Sequence, residues 1–344
     1  MEYHMSPSAP VPSATLLVVT MGDPAGIGGD VTLTAWTRRH EADLPPFFLI
    51  DDPDRLTALA RQLRLDVPIT TIATPTEAVK AFSSSLPILP LQLAVASTPG
   101  QLDERNAPCV IDALTQAVDF AKANVVAGII TNPIHKKTLY ASGFEHPGHT
   151  EFLAAATDST PVMMLSCPGL RVVPVTIHIP LHEVASLLTH DLIVSRGKIL
   201  AAALQNDFGI SSPRIAVAAL NPHAGEGGAL GKEEIDIIAP AVATLCKLGI
   251  GATGPAPADT LFHSEARARY DAVLAMYHDQ ALIPLKTIDF DNGVNTTLGL
   301  PIIRTSPDHG TACDIAGTGK ADPASFIAAL RQAAAIAAQR SSLS

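Results

Sequence analysis

Residues 111–130, IDALTQAVDFAKANVVAGII, carry two different periods in succession. Ile111, Leu114, Val118 and Ala121 recur at the spacing that places them on one face of a helix. The apolar run at 125–130 follows at once and has the length of a buried strand. A helix delivered directly into a strand favours parallel pairing, the repeating unit of an α/β fold. Working outward, short apolar runs bounded by turn residues recur at 16–20, 47–50, 214–220 and 272–276, as buried strands do. A hairpin is expected over 162–177, turning at Cys167, Pro168 and Gly169. Near the C-terminus, Asp322 offers an N-cap and Pro323 a first-turn proline. Phe326, Leu330, Ala333 and Ala337 then mark the buried face of a final helix.

The chain of 344 residues is 47% hydrophobic and 16% charged but only 4% aromatic. That is enough apolar material for an extensive core and for two lobes rather than one. A net charge of −10 gives no long-range attraction to phosphate backbones or anionic lipid, which argues against nucleic-acid and membrane partners. The apolar runs fall far short of the roughly 20 residues that cross a bilayer. Cys109, Cys167, Cys246 and Cys313 are far apart and form no CxxC pair, so neither a disulfide framework nor a thiolate zinc site is indicated, and a reducing cytoplasm fits. Residues 1–14 are rich in Ser and Pro, lack the layout of a signal peptide, and are expected to form a flexible tail.

In open parallel sheets ligands bind beyond the carboxyl ends of strands. Four polar segments occupy such places: MGDPAGIGGD (21–30), TNPIHKK (131–137), NPHAGEGG (221–228) and YHDQ (277–280). His178, His223 and His278 each stand at or near a strand end. Three neutral imidazoles can hold a divalent metal with a position left open, a catalytic arrangement. Each can equally cap a strand or bond within its own loop, and spacings of 45 and 55 residues do not decide between the two. The glycine-rich MGDPAGIGGD does not match the dinucleotide fingerprint GxGxxG; it reads as a tight strand-to-helix turn or as part of an active site. Basic residues near these segments are few. Lys136 and Lys137 read as surface lysines, whereas Lys286 and Arg304 are candidates to pair with a phosphate or carboxylate.

Ten segments in order, MGDPAGIG, TNPIHK, PGHTEFLA, VMML, TIHIPL, LNPHAGEGG, GPAPADTLF, AMYHDQ, GVNTTLGLPIIRTSPDHGTACDIAG and GKADPASF, resemble the 4-hydroxythreonine-4-phosphate dehydrogenase family from residue 16 to about 330. The resemblance implies a two-lobed α/β/α fold, isocitrate/isopropylmalate dehydrogenase-like, with the active-site cleft between the lobes. The lobes are expected over 15–130 plus 300–344 and over 131–299. A homodimer sharing its sites across the interface is implied too. The implied reaction is NAD- or NADP-dependent oxidation of the 3-hydroxyl of 4-phosphohydroxy-L-threonine, followed by decarboxylation to 3-amino-2-oxopropyl phosphate, in pyridoxal 5′-phosphate biosynthesis. Implied metal ligands are His178, His223 and His278, one of them supplied by the partner subunit, around one divalent ion (Zn, Mg or Co). Implied substrate contacts are His149, Thr150, Lys286, Asn295 and Arg304, with the cofactor beside residues 293–317. Lys286 or a metal-bound water is the candidate proton acceptor.

Gly29 departs from the pattern, standing where many relatives carry proline, while Asp30 keeps the acidic character. Asp308 and His309 fit a role in the cofactor region or simple capping of a glycine-rich loop. The neighbouring alternatives are a 4-phospho-D-threonate or 4-phosphoerythronate dehydrogenase of the same family. A metal-dependent hydrolase, which would need no nicotinamide, is the alternative of another class.

Overall fold

The computed structural model describes residues 15–144, 146 and 148–343; the expected tail over 1–14 lies outside them. In chain order the elements run β1 (Leu17–Thr20), α1 (Gly28–Thr37), β2 (Phe47–Asp51), α2 (Pro53–Leu63), β3 (Ile69–Thr71), α3 (Ala78–Ala81), β4 (Leu86–Pro90), α4 (Ala107–Lys122), β5 (Gly128–Thr131), α5 (Lys136–Ala141) and α6 (His149–Thr157). There follow β6 (Val162–Cys167), β7 (Leu170–Thr176), α7 (Val184–Leu187), α8 (His190–Asn206), β8 (Arg214–Ala218), α9 (Ala239–Lys247), β9 (Gly251–Ala256), α10 (Ser264–Arg267), β10 (Ala272–Tyr277), α11 (His278–Ile288), β11 (Val294–Leu298), β12 (Arg304–Pro307) and α12 (Ala324–Ser341).

The described strands form one sheet in the order β3-β4-β2-β1-β5-β12-β11-β6-β7-β10-β8-β9. From β3 to β12 every pairing is parallel, and so is every pairing from β7 to β9. Between these two wings, β11 runs antiparallel to both β12 and β6, and β6 antiparallel to β7. Helices cover both faces of each wing, as buried parallel strands require. In the first wing, Leu17, Val19, Phe47 and Leu49 meet Phe326, Leu330 and Ala333 of α12 on one face. On the other, Val18, Phe48 and Ile50 meet Val110, Leu114 and Val118 of α4. The second wing repeats the plan, with Val173, Val217 and Leu274 against α8 and α9, and Val172, Ala216 and Ala275 against α11. The expected helix-to-strand unit, the hairpin and the final helix are all present. The strand of the unit starts at Gly128 rather than Val125, and the N-cap position of α12 falls on Pro323, one residue later than expected, with Asp322 Oδ1 accepting the Ala324 amide at 2.9 Å just ahead of the helix.

Gly29 touches α2 directly: a Cβ there would lie 2.6 Å from Leu59 Cδ2, so the departure from proline accompanies close α1–α2 packing. Asp30 accepts the Gly317 amide at 2.8 Å and ties α1 to the loop after β12.

Candidate active site

Where the two wings meet, the ends of β5, β7, β10 and β12 open into a cleft of about 400 Å³. It lies beyond the carboxyl ends of the parallel strands, as open α/β sheets require. The cleft brings together His149, Thr150, His178, His278, Lys286, Asn295 and Arg304, seven of the eight site residues expected from sequence. His223 does not line it.

Arg304 opens β12 and is buried. Its Nε and Nη2 donate to Thr131 Oγ1 at 3.1 and 2.6 Å, and its Nη1 donates to Thr297 Oγ1 at 3.0 Å. None of the ion pairs among the described residues includes it. Burial pulls its pKa down to about 10, opposed by the Glu151 carboxylate. A guanidinium taken out of water without a counter-charge is expensive, and an anion in the cleft is the natural compensation. His149 and Thr150 begin α6, where free helix amides add to the same positive end. Burial holds the His149 imidazole well below its ordinary pKa, helped by the charges of Arg304 and Lys136, so it is neutral. Lys136 and Lys137 are both exposed, as the sequence reading expected, and Lys136 also lines the cleft while Lys137 does not.

The rings of His178 and His278 face each other with centroids 5.7 Å apart. His178 sits just past β7 with φ 52°, a left-handed backbone that costs a non-glycine residue about 1 kcal/mol or more. Burial, then the charges of Lys136 and His278, lowers its pKa and keeps it neutral. The Nδ1 of His278 bonds Asp279 Oδ1 at 2.7 Å, the kind of carboxylate partner that usually orients a metal-binding imidazole. The pair therefore suits a borderline divalent ion, but no group of three metal-capable side chains assembles among the described residues. His223 is exposed on the loop after β8, where residues 223–227 all have positive φ. Glu234 fixes the root of that loop by accepting the Leu220 and Asn221 amides at 2.9 and 2.7 Å.

Three cleft features were not singled out as site residues in the sequence. Thr131 and Thr297 hold the guanidinium, and hydroxyls inside strands carry no pattern that marks them. Asp308, left open between capping and function, accepts from Lys286 Nζ at 3.1 Å.

Fold and cleft together define an α/β enzyme class whose cleft sets a buried guanidinium beside a facing pair of imidazoles. The chain belongs to the family described as pyridoxal phosphate biosynthetic protein PdxA, which it matches over residues 43–333. A 4-hydroxythreonine-4-phosphate dehydrogenase from Bradyrhizobium diazoefficiens is 51% identical over 95% of this chain and 99% of its own length. The crystal structure of a 4-hydroxythreonine-4-phosphate dehydrogenase from Klebsiella pneumoniae, 37% identical, superposes with a TM-score of 0.85 over 95% of this chain and 99% of that one. A terephthalate 1,2-cis-dihydrodiol dehydrogenase from Burkholderia xenovorans LB400, 28% identical, superposes with a TM-score of 0.62 over 93% and 98%.

Proposed function

We propose that this protein oxidises the 3-hydroxyl of 4-phosphohydroxy-L-threonine with NAD or NADP, the β-keto acid then losing carbon dioxide to give 3-amino-2-oxopropyl phosphate, in the formation of pyridoxal 5′-phosphate. The observation that carries this reading is the buried guanidinium of Arg304, hydrogen-bonded only to hydroxyls in the cleft that also holds the facing imidazoles of His178 and His278. It calls for a substrate with a fixed anionic group, in keeping with the phosphorylated substrate that the names of the 51% and 37% identical relatives state.

When bound, the nicotinamide supplies the hydride acceptor and the divalent ion (Zn, Mg or Co) a Lewis acid. Arg304, His149 and Thr150 seat the substrate phosphate, and Lys286 and Asn295 orient its remaining polar groups. His178 and His278 hold the ion with His223 from a second copy of the chain, which makes the working unit a homodimer. The exposed apolar side chains Leu181, Ile283 and Phe290 near the cleft, and Leu230 and Ile235 near His223, support that assembly. The cofactor lies beside residues 293–317, and the lobes span 15–130 with 300–344 and 131–299. Four free cysteines suit a cytoplasmic setting; no described helix is long and apolar enough to cross a membrane.

The test is NAD(P)H formation by the purified protein with 4-phosphohydroxy-L-threonine, run beside 4-phospho-D-threonate and repeated after chelation and addition of Zn, Mg or Co. Metal-restored turnover that prefers the first substrate is the expected result. Preference for the second would move the protein to the neighbouring activity, and silence with both would remove the dehydrogenase reading.

A further inference from the structure

Among the described residues lining the cleft, Asp308 is the one carboxylate, against the three cationic side chains Lys136, Lys286 and Arg304. Its Oδ2 lies 3.1 Å from Lys286 Nζ. Each partner is held from its own side. The Asp308 amide donates to Ser325 Oγ at 2.9 Å, and that hydroxyl donates to the Gly293 carbonyl at 2.6 Å, locking the carboxylate between β11 and α12. Gly293 leaves room for it: a Cβ there would stand 3.3 Å from Asp308 Cβ. Lys286 comes from the last turn of α11, with Nζ 5.5 Å from the centre of the Phe290 ring. The ion pair thus joins a helix of one wing to the strand-end loop of the other across the floor of the cleft.

We infer that Asp308 is a positioning residue that holds Lys286 in the cleft as an ammonium ion, so that Lys286 serves the reaction as an anion-binding cation and not as the acceptor of the substrate's hydroxyl proton. The inference rests on the proposed function for the meaning of "reaction", but the pairing itself does not. The charges facing the pair all bear on it. Arg304 on β12, Lys136 at the start of α5, and any protonated form of His178, His278 or His309 disfavour a second cation, and Glu151 on α6 offers partial relief. Asp279 is taken up by His278. Without Asp308 the ammonium would face a net positive wall, the setting in which a lysine gives up its proton. Burial raises the pKa of Asp308 and the Lys286 charge opposes this, as expected of a carboxylate whose ionised state depends on its partner.

The experiment compares wild type, Asp308→Asn and Asp308→Glu. The Lys286 Nζ titration is followed by NMR of ¹³C-methylated lysines, with Lys286→Arg to assign the signal, and kcat and KM are measured across pH. In Asp308→Asn the Lys286 titration is expected to move down by about one unit, the shift that loss of one adjacent opposite charge produces. The alkaline limb of kcat/KM should move down with it, kcat/KM at neutral pH should fall at least tenfold mainly through KM, and Asp308→Glu should recover part of both. An unmoved Lys286 titration overturns the inference. So does neutral-pH turnover that rises in Asp308→Asn, the mark of a lysine acting as base. Should Asp308→Asn fail to fold, as judged by circular dichroism, Asp308→Ser, which also removes the charge, carries the same comparison. If wild type is silent with the phosphorylated substrates, the functional reading fails while the titration still decides the pairing.

Discussion

At the scale of single residues, Arg304 sets function against stability. Its charge is buried, hydrogen-bonded to the hydroxyls of Thr131 and Thr297 and only partly offset by the Glu151 carboxylate, so in the empty fold it costs more than it returns. Replacing it with Met should leave the thermal midpoint unchanged or raise it. The same change should lower kcat/KM about 100-fold or more, because a desolvated charge-assisted contact to the substrate anion is lost. Calorimetry beside steady-state kinetics checks both halves, and a clear fall in midpoint would show that the guanidinium is structural. Arg304→Lys should recover little, since an ammonium cannot reproduce the planar fork. His149 allows a second prediction. Its ordinary pKa is 6.5 and its folded value lies well below that, chiefly through burial. Between those two values the unfolded chain binds a proton that the native chain does not, so stability falls as pH drops below about 6.5. His149→Asn should flatten that part of the curve of midpoint against pH relative to wild type. Identical curves would mean that the ring is not desolvated in solution.

At the scale of elements, what was legible depended on whether burial followed a period. The first strand, α4, the β6–β7 hairpin and α12 bury apolar faces at regular spacing and could be read directly. The strands β11 and β12 could not. VNTTL and RTSP are polar, yet they occupy the middle of the sheet because their side chains find partners there: Thr297 accepts from Arg304, Thr296 from Gln332, and Thr305 donates to the Ala329 carbonyl. Tertiary hydrogen bonding overrides composition in such strands, and no local pattern announces it. The candidate site followed the same rule. Strand-end histidines and scarce cations stood out, whereas the hydroxyls and the carboxylate that hold them did not. The loop after β12 gives a prediction at this scale. Asp30 is its clamp, through the Gly317 amide, and Ile27 N donates to Thr311 O at 2.9 Å nearby. Asp30→Ala should speed hydrogen exchange at Gly317 and raise KM for NAD(P) roughly tenfold, the scale of one lost hydrogen bond to a charged acceptor, with little change in KM for the phosphorylated substrate. Unchanged exchange and cofactor KM would remove the loop from the cofactor site.

At the scale of the whole molecule, one chain presents a facing pair of imidazoles, His178 and His278, in its cleft and displays His223 on an outward loop. His178 and His278 are paired at 5.7 Å, and His223 stands exposed at the tip of a left-handed turn rooted on Glu234. Three non-glycine residues of this loop, His223, Ala224 and Glu226, hold positive φ, which is costly to maintain and hard to reconcile with a loop that only caps its own strand. If His223 completes the cleft of a second copy, His223→Ala and His278→Ala should each abolish turnover alone. Mixed, unfolded together and refolded, they should recover activity. In a heterodimer of the two variants, one cleft keeps His178 and His278 from the first chain and receives an intact His223 from the second, while the other cleft lacks both. Random pairing makes about half of the dimers mixed, each with one working site of two, so about one quarter of wild-type activity is expected for a twofold assembly. Chelation should abolish the recovered turnover as it does that of wild type. Recovery near zero would place all the ligands of any metal within a single chain, and residual activity in His223→Ala alone would remove that histidine from the site.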